Sequence, residues 1–72
     1  MAHLTPSDYD RLERAVADRK RIAIVRQGRE TVVMPRRIFV RNGREILEAT
    51  HPTTGDVIEV VIDLVDSLEV LP

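Results

Sequence analysis

Six arginines, Arg26, Arg29, Arg36, Arg37, Arg41 and Arg44, crowd one short stretch of the chain, set among β-branched residues and turn residues. A guanidinium is planar, permanently charged and shaped for bidentate contact with carboxylate or phosphate. The chemistry this pattern offers is therefore recognition of an anion: nucleic acid, a nucleotide-type ligand or an acidic protein patch. Binders of single strands usually add aromatic platforms on which bases stack. Here the only aromatic residues are Tyr9 and Phe39. Contact made through the arginines alone would be weak and would fade quickly with salt.

Catalytic groupings are missing. Ser7 and Ser67 have no histidine near them in sequence, and each suits a helix start or a turn. The three glycines, Gly28, Gly43 and Gly55, are scattered among separate turns, so no loop can cradle a phosphate. Asp63 and Asp66 read as a solvated acidic surface. There is no cysteine, and His3 and His51 lie far apart, which leaves neither disulfides nor a spaced set of metal ligands. No catalytic residue, metal site or cofactor is expected, and the chain does not read as an enzyme.

The charges divide by position. Among 72 residues, 11 basic and 12 acidic side chains nearly cancel, yet all the basic ones lie between Arg11 and Arg44, and none follows Glu45. In a single small fold the two halves interleave and largely neutralise each other. Burial is inefficient at this length, so stability needs a supplement. With disulfides and metal excluded, that supplement is association. No apolar run is long enough to span a membrane and no signal peptide follows Met1, so the expected setting is the cytoplasm.

The elements that must position the arginines follow from local pattern. Met1 to Leu4 reads as a frayed end. Thr5 is an N-cap, Pro6 takes the first helical position, Asp8 lies three after the cap, and Leu4 and Tyr9 form a hydrophobic staple. Tyr9, Leu12, Ala15 and Val16 then recur at helical spacing, predicting a helix over 6–20. Strands are predicted over 22–27, 30–34, 37–41, 44–50 and 56–64, with a short last one over 68–71. Asn42-Gly43 tolerates the positive φ angles of a two-residue turn. That turn sets Ile38 opposite Leu47, Phe39 opposite Ile46, Val40 opposite Glu45 and Arg41 opposite Arg44. Pro35 marks an edge, a bulge or a sharp bend, and residues 50–55 form a polar turn.

These elements predict a mainly β fold: a small SH3-like or Sm-like five-stranded barrel with one N-terminal α-helix over an open end. Ile24, Ile38, Leu47, Ile58, Val60, Ile62 and Leu64 are expected inside, with Leu12 and Val16 as the lid. Phe39 and Ile46 then share the opposite face. They need cover from the helix or from another chain, and so read as a protein interface and a reason for a homo-oligomer.

The run from Asp10 to Ala49, with Val33-Met34-Pro35 and a hairpin ending in Leu47-Glu48-Ala49, then Val57 to Leu71 with its acidic step at Asp63, resembles the WYL domain of bacterial regulators. The name-giving Trp-Tyr-Leu falls on Glu45-Ile46-Leu47. The resemblance implies an Sm-like barrel that senses nucleic acid or nucleotide-type ligands. Ser7-Asp8-Tyr9-Asp10-Arg11-Leu12-Glu13-Arg14-Ala15 is also similar to the opening of the Rho-binding antiterminator family. Those proteins are small and Sm-like too, and they act by contact with a partner protein. Two roles follow. One is a non-catalytic regulatory domain that associates with itself or with a regulatory protein in transcription- or RNA-related control. The alternative is a WYL-like module that takes nucleic acid or another anion on an arginine-rich hairpin surface. A third possibility is a domain whose function sits in a neighbour.

Overall fold

The computed structural model describes residues 4–72. Of the expected frayed end only Leu4 is among them, and it packs against the core; Met1 to His3 lie outside the described residues. Thr5 caps α1 (Pro6–Asp18) through a full capping box. The Asp8 N–H donates to Thr5 Oγ1 at 3.1 Å and the Thr5 N–H to Asp8 Oδ2 at 3.0 Å. Two of the amides left unpaired at a helix start are thereby satisfied. The bond from the Thr5 N–H, helped by Arg11, holds the Asp8 carboxyl below its ordinary range. The helix ends two residues before the predicted boundary because Arg19 turns left-handed, with φ 54°. The Lys20 N–H reaches back to the Ala15 carbonyl at 2.9 Å, as in a Schellman close.

Five strands follow: β1 (Ile22–Arg26), β2 (Arg29–Arg41), β3 (Arg44–Thr50), β4 (Val57–Val61) and β5 (Ser67–Val70). All neighbours are antiparallel and the order is β4-β3-β2-β1-β5. The predicted strands over 30–34 and 37–41 are one strand, β2. Its 13 residues would span about 40 Å if straight, whereas the longest dimension of the fold is 29 Å. The strand therefore bends, and it does so at a bulge between Pro35 and Arg37. Pro35 lies opposite Ala49, whose N–H and C=O face β4, so the missing N–H of proline costs no bond to β3.

Both hairpins that involve β2 close with two-residue turns of positive φ, Gln27-Gly28 at 51° and 75° and Asn42-Gly43 at 54° and 76°. The second turn yields every pairing expected of it, from Arg41–Arg44 to Ile38–Leu47, and the ladder continues to Arg37–Glu48. In the first, Gln27 occupies a conformation that suits glycine or asparagine better. Asp66 steadies it, accepting the Gln27 N–H at 3.0 Å while its own N–H donates to the Val25 carbonyl at 2.8 Å. In the polar turn before β4, His51 Nδ1 accepts the N–H groups of Thr53 and Thr54, at 3.2 and 3.3 Å.

The fold is small and mainly β with one N-terminal helix, as the sequence predicts, but the sheet is open and not a closed barrel. No ladder joins β4 to β5, and each is an edge. The connection between them is a single 3-10 turn, Ile62–Leu64, where the sequence predicts continued strand. Its three-residue repeat buries Ile62 and Val65 and leaves Leu64 53% exposed, so Leu64 is not an interior residue. Ile24, Leu47, Val60, Ile62 and Leu12 form the core with Ile22, Val33, Ala49 and Leu68, and Ile38 and Ile58 pack at its margin. Val16 is half-buried. No helix among the described residues is long and apolar enough to cross a membrane.

Truncating Leu47 to alanine should cost about 2–5 kcal/mol in a urea unfolding experiment. Leu64→Ala should stay within about 0.5 kcal/mol of the parent. Equal losses at both positions would mean that β4 continues through residue 64.

Candidate functional site

The bulge at Arg36 changes which residues of β2 face inward. Before it, Val33 and Pro35 point to the core; after it, Ile38 does, and Arg37, Phe39 and Arg41 share the outer face. Across β3 and β4 that face continues with Arg44, Ile46 and Glu48, then Val57, Glu59 and Val61. Phe39, Ile46 and Val61 lie in one row across the three strands.

Two guanidiniums lie over the aromatic end of this row. Arg37 lies over the Phe39 ring with its central carbon 4.7 Å from the centroid, and Arg41 does so at 5.1 Å. Each is tethered to a carboxylate. Arg37 donates to Glu48 Oε1 at 3.1 Å. Arg41 reaches past β3 to Glu59 and donates to both of its oxygens, at 2.8 and 3.0 Å, in the bidentate geometry that favours arginine. That bond raises the Arg41 pKa, and Glu59 is held below its ordinary range by Arg41 first, with Arg37 adding to it. The result is a charge-neutral cover of four side chains over an aromatic ring. Ile46 beneath it is 6% exposed.

Arg41 and Arg44 do face each other across the hairpin, and Arg41 turns away from Arg44 to Glu59. The guanidiniums of Arg37 and Arg41 lie over Phe39, and Ile46 beside it is buried. The other arginines are dispersed. Arg26 and Arg29 flank the Gln27-Gly28 turn, at the opposite end of β2 from Arg41 and Arg44. Arg36, the extra residue of the bulge, lines an open cleft of about 600 Å³ with Arg19, Met34, Pro35 and Val16. Among the described residues, Arg26, Arg29, Arg36 and Arg44 have no ion-pair partner.

Tyr9 also contributes more than a staple. It packs against the core and its hydroxyl donates to Glu45 Oε1 at 2.9 Å, tying the start of the helix to the Asn42-Gly43 hairpin. Burial, then the bond to Glu45, raises the pKa of that hydroxyl. No sequence signal links two residues so far apart. Glu59, by contrast, was visible as an outward position of an alternating strand, although its pairing with Arg41 depends on how the sheet coils.

The depressed Glu59 and Asp8 carboxyls fix the sign of a pH effect. Each binds a proton more readily when unfolded, so its contribution is present above the unfolded pKa and is lost as pH falls through the ordinary carboxylate range, about 4, and below. Melting temperature followed from neutral pH downward should fall across that range. Arg41→Ala should flatten the part of the fall due to Glu59, and an unchanged profile would mean that the pair is not formed in solution. Comparison of the chain with protein-family models, with curated proteins and with solved structures returns no match.

Proposed function

We propose that this chain is a small non-catalytic interaction domain, acting by association with itself or with a regulatory protein, in transcription- or RNA-related control in the cytoplasm. The observation that carries this reading is the neutral cover over Phe39. The two arginines beside the exposed-face aromatic are already satisfied by Glu48 and Glu59. A nucleic acid would have to displace both carboxylates, and a base could not stack on Phe39 without moving a guanidinium. The open sheet also leaves strand edges that favour pairing with another polypeptide. The transcription-related setting rests on the WYL and antiterminator resemblances, and the cytoplasmic one is the setting expected from the sequence.

A second reading, a WYL-like module for nucleic acid or a nucleotide-type anion, is favoured by a different observation. Arg36 and Arg19 flank the cleft beside Met34 and Pro35, and Arg44 stands at the hairpin tip with no carboxylate in ion-pair range. Titration of short RNA and DNA oligonucleotides at low and moderate salt separates the two. The association reading expects at most weak binding, abolished by moderate salt. Binding that survives moderate salt and is lost on Arg36→Ala or Arg44→Ala would replace it with the anion-binding reading.

A further inference from the structure

We propose that the free edge of β4 is a self-association surface, on which two copies of this chain pair β4 with β4, antiparallel, about a two-fold axis at Glu59. This rests on the association reading and names its surface and its partner, a second copy.

The backbone phase shows which groups are available. Arg41 and Arg44 flank a two-residue turn and so form a hydrogen-bonded pair. It follows that the even-numbered residues of β3 point their N–H and C=O groups at β2, and Leu47 and Ala49 point theirs at β4. The His51 N–H donates to the Asp56 carbonyl at 2.8 Å, in phase with this. Ile58 and Val60 are thus committed to β3, and the main chain of Val57, Glu59 and Val61 faces outward. Among the described residues it has no backbone partner on that side. The strand carries no proline, no lysine and no bulge to protect the edge, and Glu59 is its one charged side chain. Val57 is 67% exposed. The other edge, β5, packs against α1.

The strand is also complementary to itself. A two-fold at Glu59 sets Val57 against Val61 of the second copy and Ile58 against its Val60. All three outward-facing residues then fall in hydrogen-bonded pairs. The apolar row Phe39–Ile46–Val61 continues into Val57 of the second copy, which covers that exposed side chain. The one repulsive contact is Glu59 against Glu59, since like charges directly opposite disfavour pairing. Arg41 answers it by holding both Glu59 oxygens from the β2 side, away from the axis. Arg41 is in this sense a positioning residue for the edge.

Sedimentation equilibrium and amide exchange by NMR, on the whole chain at low and high concentration, test the proposal. The expected result is a monomer–dimer equilibrium in which the amides of Val57, Glu59 and Val61 gain protection with concentration, while those of Ile58 and Val60 are protected throughout. Val57→Pro removes one outward donor at the first position of a strand, where proline is tolerated. It should give a monomer with an unchanged circular dichroism spectrum. If that variant does not fold, the exchange pattern of the parent chain still decides. A monomer at every concentration, a dimer unaffected by Val57→Pro, or protection gained at Leu68 and Val70 on β5 would each overturn the proposal. A monomer that also binds no oligonucleotide leaves association with another protein standing. Salt-resistant oligonucleotide binding removes the association reading itself.

Discussion

The extra residue in β2, Arg36, determines which side chains the second half of the sheet turns toward the core. Strand side chains alternate, so inserting one residue exchanges the two faces beyond it. Without the bulge, the alternation that buries Val33 and Pro35 would next turn Arg37, Phe39 and Arg41 inward, and would turn Ile38 to solvent. With it, Ile38 meets Leu47 and Val60 on the core side, and Arg37, Phe39 and Arg41 lie together outside. The bend that accompanies a bulge also lets a long strand fit within a fold 29 Å across. Proline is suited to this position because its neighbour across the ladder has its own bonds directed elsewhere.

The outer face explains how so divided a sequence can hold together. Every basic residue lies at or before Arg44 and most acidic residues, 7 of 12, lie after it, and the order β4-β3-β2 sets strands of the two parts side by side. Arg37 with Glu48, and Arg41 with Glu59, join the basic half to the acidic half across the sheet. Exposed ion pairs contribute little singly. In these two the guanidiniums also lie over the Phe39 ring, so the charged ends that hold the carboxylates also cover the aromatic face. The same side chains that would attract an outside anion are used to close the outer surface, which is why charge count alone overstates the basic character of this face.

Much of the fold was legible in the sequence, for reasons that differ by element. Asn42-Gly43 fixed a register because a two-residue turn permits only one, and Thr5-Pro6 with Asp8 fixed a helix start because three local preferences agree. Alternation identified Ile58 and Val60 correctly and then misled at Leu64. From Ile62 to Val65 the buried residues are three apart, the spacing of a 3-10 turn; Ile62 fits either period, Leu64 only the alternation and Val65 only the three-residue repeat. The arginine set was legible as a set but not as an arrangement. Its dispersal along a bent strand, and the reach of Arg41 across β3 to Glu59, depend on coiling of the sheet that no local pattern encodes. The end of α1 at Asp18 was hidden likewise, because Arg19 adopts a left-handed conformation usually left to glycine.

Openness between β4 and β5 is the remaining consequence of this geometry. The chain turns through Ile62–Leu64 before β5, so the last strand pairs with β1 and leaves β4 unpaired. The face assignments on β3, β4 and the second half of β2 all trace to the single residue at the bulge. Deleting Arg36, compared with Arg36→Ala in urea unfolding followed by circular dichroism, measures that dependence directly. The expected result is loss of a cooperative transition on deletion, with the alanine variant unfolding near the parent midpoint. A deletion variant that unfolds cooperatively at the parent midpoint would contradict it.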